Sequence, residues 1–329
     1  MSPAETGSGL DVAILGSFMK DLVARAPRRP APGETLRGTG FDEFLGGKGV
    51  NQAVAASRAG ARTAMIGRLG KDLYGEEFLQ LLESEGIDAA QVRRDADLGT
   101  GVGLPVVEPD GANSIIIVPR ANDAVGAADV HAAAETIGRA RSLSVQLELS
   151  VDSAYAAGTI ASDAGVIAVL NPAPCPVAPE LLRGLFDVVV PNEVEAEQLT
   201  GLSCEGEAAV LVARRVADEW ARRGAVLTLG GRGAIVVDGG DVEWLPPHRI
   251  PVIDTIGAGD AFCGALAARL AAGASLTDSA RYANAAGALA TTVSGAVPAM
   301  PRHEAIAALL AERSSTTDTN SDKKPHATA

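Results

Sequence analysis

Short apolar runs rich in Val, Ile and Leu punctuate the chain at residues 11–16 (DVAILG), 144–149 (SVQLEL), 165–170 (GVIAVL), 187–191 (DVVVP) and 225–230 (AVLTLG). Runs of this length, bounded by turn residues, predict buried strands. Between them, Ala-rich segments at 49–59, 75–85, 127–140, 207–223, 260–272 and 277–293 carry apolar residues at helical spacing, as at Phe78, Leu81 and Leu82. These predict helices with one apolar stripe. A crossover helix buries that stripe on the sheet it spans, so the alternation predicts an α/β fold with a mostly parallel sheet covered on both faces. Residues 18–45 and 98–119 break the rhythm. The stretch GTGVGLPVVEPDGANSIIIV reads as a strand, a PDG turn and a second strand, which predicts a hairpin in a small accessory sheet. The polar ends, 1–9 and 314–329, are expected to be disordered.

Composition narrows the function. With 329 residues, 47% of them hydrophobic, the chain can bury a substantial core, and its formal net charge of −13 opposes non-specific attraction to nucleic acid or an anionic membrane. A small-molecule partner is expected. Cys175, Cys204 and Cys263 lie far apart, with neither a CxxC pair nor a neighbouring His, which points to free thiols rather than disulfides or a zinc site. The first residues lack the basic segment of a secretory signal, so a cytoplasmic location is expected. The longest uncharged stretch, Tyr282 to Pro301, is broken by polar residues and two prolines, so no membrane span is expected.

Four motifs carry candidate chemistry. Asp254-Thr-Ile-Gly-Ala-Gly-Asp260 precedes a helical segment. Glycines there let backbone amides converge on an anion at the positive end of the helix dipole, and Asp260 suits a base that takes a proton from an attacking hydroxyl. Its plainer reading is an N-cap. Gly46-Gly47-Lys48-Gly49-Val50-Asn51 lets backbone approach a bound molecule and offers the Asn51 amide to a hydroxyl, as a polyol would need. Alternatively it is a strand-to-helix turn with a solvated lysine. In Pro191-Asn192-Glu193-Val194-Glu195, Asn192 and Glu195 suit a hydrated magnesium ion, or simply a helix start. Thr228-Leu-Gly230-Gly231-Arg232-Gly233 ends a strand where a nucleotide phosphate would lie, and also reads as a hairpin turn. Neither a Walker A loop nor a GxGxxG fingerprint is present.

Taken together, GGKGVNQAVAA, QLE, LNPAP, PNEVEAEQLTG, TLGGRG and DTIGAGDAF closely resemble the ribokinase (PfkB) family of carbohydrate kinases, and its ribokinase branch, over roughly residues 10–312. The resemblance implies one three-layer α/β/α domain with a small β-sheet lid formed by segments 18–45 and 98–119, often dimeric through the lids. It implies phosphoryl transfer from ATP with Mg²⁺, ribose being the first candidate acceptor. By resemblance Asp260 is the base and Gly257, Ala258 and Gly259 form the anion hole. Asp21, Gly47, Lys48, Asn51 and Glu148 match sugar-site positions. Thr228, Gly230, Gly233 and Asn284 match the nucleotide side, and Asn192 and Glu195 the magnesium-linked motif. A potassium site is implied at Asp254, Ile256, Ala290, Val293 and Gly295.

One position departs from the pattern. Many bacterial ribokinases resemble one another in an Asn two residues before the sugar-binding Asp, where this chain has Met19. A thioether there tolerates a missing hydroxyl and brings 2-deoxyribose into consideration, although some ribokinase-like sequences share the Met, and it also reads as lid packing. Other neutral sugars follow; nucleosides are disfavoured by an aromatic content of 3%, and sugar phosphates by the few basic groups near the acceptor motifs. A catalytically silent sugar-binding regulator is the alternative outside enzymes.

Overall fold

A computed structural model describes residues 9–110, 112–176 and 179–318. The chain opens with β1 (Val12–Leu15), β2 (Met19–Arg25) and β3 (Gly40–Gly46), followed by α1 (Lys48–Arg58), β4 (Thr63–Gly70), α2 (Leu73–Ser84) and β5 (Asp88–Asp95). A hairpin of β6 (Gly101–Val107) and β7 (Asn113–Val118) leads through two short helices, α3 (Ala127–Ala132) and α4 (Ala134–Arg139), to β8 (Ser142–Gln146). Then come α5 (Val151–Ala164), β9 (Ile167–Asn171), β10 (Phe186–Val189), α6 (Glu193–Thr200) and α7 (Ala208–Trp220). The last part holds β11 (Ala221–Thr228), β12 (Ala234–Asp238), β13 (Asp241–Leu245), α8 (Ala258–Ala271), α9 (Leu276–Ala290) and α10 (His303–Asp318).

Nine strands form the main sheet in the order β13-β12-β11-β10-β9-β8-β1-β4-β5. The strands from β11 to β5 are parallel, while β12 and β13 close one edge in antiparallel pairing. Strand alternation sorts the side chains into two layers. Ala13 and Leu15 pack with Ala157 of α5 and Val212 and Val216 of α7, whereas Val12 and Ile14 pack with Val50 and Val54 of α1 and Ala267 of α8. The predicted α/β/α sandwich is present. A separate four-stranded sheet, β3-β2-β6-β7, is built from the two segments that broke the sequence rhythm. Its central pair β2/β6 is parallel and its outer pairs are antiparallel.

Four local expectations need correction. The segment predicted as helix through 223 ends at Trp220, and Ala221 already pairs with Phe186 in the sheet, so strand pairing overrides the helical period. The segment 127–140 breaks at Ala133, whose amide is shared between the carbonyls of Asp129 and Val130, a tightening that ends one helix and starts the next. Strand β8 stops at Gln146, so the chain leaves the sheet before Glu148. Helix α10 continues through 314–318, where local backbone bonds propagate the helix; the other residues expected as tails, 1–8 and 319–329, lie outside the described residues. Among the described residues no helix is long and apolar enough to cross a membrane.

Helices α1 and α8, which begin at the lysine and aspartate motifs, cross at close range. A Cβ placed on Gly264 would lie 2.4 Å from the Gln52 carbonyl oxygen and 2.7 Å from the Ala55 Cβ. Gly264→Ala is therefore expected to push α8 away from α1 and destabilise the fold by about 1–3 kcal/mol, as overpacking does. A melting temperature equal to that of the unaltered protein would show that the crossing has slack.

Candidate active site

The loops after β1, β8, β9, β10 and β11 gather at the C-terminal edge of the parallel strands, where ligands bind in open α/β sheets. A cavity of about 210 Å³ opens there, and Lys48, Asn192, Glu195, Thr228, Gly257, Gly259 and Asp260 all line it. Residues far apart in the chain thus share one wall.

Asp260 stands in the first turn of α8 and is 6% exposed. Gly257, at φ 75°, turns the chain into the helix through the left-handed region that favours glycine. The Ala258 amide donates back to the Thr255 carbonyl at 3.3 Å. Those of Gly259 and Asp260 follow in the first turn, where an α-helix supplies no internal acceptor. The Asp260 carboxylate is held from α1: Asn51 Nδ2 donates to Oδ2 at 2.9 Å and Gln52 Nε2 to Oδ1 at 3.2 Å. Gln52 is itself oriented, its Oε1 accepting from Ser144 Oγ (2.9 Å) and Gln146 Nε2 (2.6 Å). Asn51 Oδ1 is buried without a hydrogen-bond partner, which makes it a ready acceptor for a hydroxyl beside Asp260.

Next to this carboxylate, at the start of α1, Lys48 is held protonated: the Asp260 charge raises its pKa, against burial, with Glu148 and Glu195 adding to the effect. Glu148 accepts from the Lys48 amide at 2.9 Å and from Ser17 Oγ. Asp21 projects from β2 against β6 and β3, where a Cβ on Gly103 would meet its Oδ1 at 2.1 Å and one on Gly46 its Oδ2 at 2.8 Å. Burial and the neighbouring Glu148 charge push the Asp21 pKa up to about 6. Met19, two residues earlier on the same face of β2, is 4% exposed and packs toward Gly101 and Gly103.

Asn192 and Glu195 form a reciprocal capping box on α6. The Glu195 amide donates to Asn192 Oδ1 (2.9 Å), and the Asn192 amide donates to Glu195 Oε2 (2.8 Å). The plainer reading of this motif holds, and the same Glu195 carboxylate lines the cavity, where burial raises its pKa. Gly230, Gly231, Arg232 and Gly233 sit at the β11–β12 turn outside that cavity, with Arg232 paired to Glu193. Asn284 on α9 donates to the Pro246 carbonyl (3.0 Å) beyond β13. Asp254 accepts from the amides of Ile256 (3.0 Å) and Gly295 (2.9 Å) and from Ser294 Oγ (3.3 Å), which joins the segment bearing Asp254 and Ile256 to the one that runs from Ala290 through Val293 to Gly295. Among the described residues no group of three or more His, Cys, Asp and Glu could hold a metal ion. Cys204 and Cys263 are buried free thiols and Cys175 is half-buried.

Residue reasoning from sequence passed over Gln52, Asn171, Thr255 and Cys263, the last three of which line the cavity. Gln52, Asn171 and Thr255 lay within the quoted motifs but were given no role, and Cys263 was read only as a free thiol. Asn122 was also silent in sequence: its amide clamps the Phe18 backbone, accepting from the amide (3.0 Å) and donating to the carbonyl (2.8 Å), and so ties the start of the lid to the main domain.

Comparison with known proteins identifies the family. The model of the pfkB family carbohydrate kinases matches residues 10–303. The chain belongs to this family. It is 33% identical over 293 residues to a ribokinase of Haemophilus influenzae, covering 89% of this chain and 96% of that protein. A deoxyribokinase of Salmonella typhimurium is 33% identical over 265 residues, covering 78% and 85%. The chain spans 55% of a bifunctional ribokinase/ribose-5-phosphate isomerase A of Fructilactobacillus sanfranciscensis, 35% identical over 297 residues and 90% of this chain. Among solved structures, Arabidopsis thaliana ribokinase complexed with ribose and ATP superposes with a TM-score of 0.84 at 28% identity, over 92% of this chain and 99% of that one. This family member is thus an ATP-dependent sugar kinase.

The Asp21 shift has a consequence for stability. A pKa of about 6 exceeds the value near 3.9 of an unfolded aspartate, so the folded state binds the proton more tightly. The stability this contributes is complete below about pH 4 and is lost as pH rises through 6. Asp21→Asn removes the buried charge and is expected to stabilise the protein by about 1–3 kcal/mol at pH 8, with little effect at pH 4. Urea unfolding at the two pH values measures this, and an equal effect at both would contradict it.

Proposed function

We propose that this enzyme transfers the γ-phosphoryl group of ATP to the O5 hydroxyl of D-ribose. The observation that carries the reading is the Asp260 carboxylate, held by two amide donors from α1 at the start of α8, beside the glycine turn. Asp260 takes the proton of O5–H as the oxygen attacks the γ-phosphorus and the bond to ADP breaks. The first-turn amides after Gly257 and the Lys48 ammonium face the charge that develops on the phosphoryl oxygens, where preorganised donors act most strongly. The orphaned Asn51 Oδ1 and the carboxylates of Asp21 and Glu148 are hydrogen-bond acceptors, which suits a polyol. Their negative charge disfavours a phosphorylated acceptor.

On the nucleotide side, Thr228, Gly230, Gly231, Arg232, Gly233 and Asn284 are proposed to hold ATP. Magnesium keeps most of its waters and needs few protein oxygens, which Asn192 and Glu195 fit as water-mediated partners. When bound, it neutralises phosphate charge. Potassium is proposed beside the glycine turn, held mainly by carbonyls of Asp254, Ile256, Ala290, Val293 and Gly295, with the Asp254 carboxylate fastening the two segments.

Met19 favours a second reading, 2-deoxyribose as acceptor, because it puts an apolar thioether on the same face of β2 as Asp21. Coupled ADP release with ATP, Mg²⁺ and K⁺ decides between the two. Higher kcat/KM is expected on ribose than on 2-deoxyribose, together with a loss of activity when K⁺ is replaced by choline. Asp260→Asn should bind sugar and ATP yet turn over at least about a hundredfold more slowly. Near-normal turnover would remove Asp260 from its role, and no ADP with any sugar would leave a silent binding protein.

A homodimer through the lids is also proposed. Leu104 and Ile116 are direct cross-strand partners on β6 and β7, and with Val118 they present an exposed apolar strip on one face of the lid. Ile116→Glu should shift sedimentation from dimer to monomer. An unaltered protein that sediments as a monomer would sink the proposal.

A further inference from the structure

A second cavity, of about 600 Å³, lies where the C-terminal ends of α1 and α8 meet the start of α10. Asp260 and Asn51 stand at the opposite ends of these same two helices, and α8 with its 14 residues is about 20 Å long. The cavity is therefore separate from the catalytic one, and its size is that of a small-molecule pocket.

Its charge is unusual for a chain of net −13. Arg58, Arg141, Arg269 and Arg302 line it together with His303, against only Asp11 and Glu304. Arg58 is occupied, donating to Glu85 and to the carbonyls of Val297 and Met300. Asp11 is likewise occupied by Arg62. The other three guanidiniums make no hydrogen bond among the described residues, although the Arg141 charge also acts on Asp11. Arg269 Nε is buried without a hydrogen-bond partner while its guanidinium lies 5.3 Å from the Tyr282 ring centroid. Arg302 is 67% exposed and comes only within 4.0 Å of Glu85, and Arg141 is exposed. The Arg302 carbonyl accepts the amides of Ala305 and Ile306 and so begins α10, but a guanidinium has no acceptor with which to cap the preceding amides. The C-terminal dipoles of α1 and α8 work against an anion here, and the last-turn residues Arg58 and Arg269 offset them.

We propose that this pocket binds the phosphate group of a small phosphate monoester, with Arg141, Arg269 and Arg302 as its ligands. Bidentate guanidinium donors match phosphate oxygens, and the volume left over accommodates the ester's polar body.

The test is calorimetric titration of the full chain with glucose 6-phosphate as probe and glucose as the neutral control. The unaltered protein is expected to bind the ester saturably and not glucose. Arg141→Gln combined with Arg302→Gln should weaken binding about tenfold or more, the loss expected for a charge-assisted hydrogen bond. Lys48→Met, which alters only the catalytic cavity, should leave it unchanged. If the double variant melts early, Arg141→Gln alone is titrated, with the same direction expected. Absence of saturable binding, full affinity in the arginine variants, or loss of binding in Lys48→Met would each overturn the proposal, leaving the arginines as neutralisers of helix ends.

Discussion

Two amide hydrogen bonds that cross from α1 to the Asp260 carboxylate hold the rest of the site together. A buried carboxylate without donors would carry a desolvation cost of several kcal/mol. Here Asn51 and Gln52 meet both oxygens, and Gln52 is in turn fixed by Ser144 and Gln146 of β8. The carboxylate is thereby referenced to the main sheet and not only to its own helix. The close crossing at Gly264, one turn along α8 from Asp260, brings α1 near enough for these bonds to form, so core packing and site geometry are one constraint.

The electrostatics of the cavity follow from this arrangement. Asp260, Glu148 and Glu195 raise the pKa of a single buried lysine, and Glu148 also acts on Asp21 beyond it. An acceptor-rich wall of this kind rewards a ligand made of hydroxyl donors. The first-turn amides of α8 and Lys48 are the donors on the opposite side. The small sheet carries Asp21 and Met19 on one face of β2, and the Asn122 side chain ties the strand's entry to the main domain through two hydrogen bonds to the Phe18 backbone.

The plainer readings of two motifs hold in the structure and leave the proposed roles of the same residues open to them. Asn192 and Glu195 are a capping box, and the β11–β12 turn is a hairpin. Glu195 lines the cavity all the same, with both carboxylate oxygens accepting from Asn192. A helix start is both a place that needs polar side chains and a place that attracts anions, so one set of residues serves both demands.

Much of this was legible in the sequence by itself. Apolar runs alternating with striped helices determined the α/β class, because burial of both sheet faces demands that pattern. The hairpin and its partner segment announced a separate sheet, and the glycine turns singled out Asp260, Asn51 and Lys48, which the fold brings together. What only the tertiary structure decided is the pairing of those residues: Asn51 and Gln52 with Asp260 some 208 residues onward, Glu148 with the Lys48 amide, Asn122 with Phe18. Local periodicity reports which way a side chain faces, whereas a hydrogen bond across the core depends on where two distant elements come to rest. The same holds for the arginine pocket, whose four arginines come from separate parts of the chain and meet where α1, α8, the entry to β8 and the start of α10 converge.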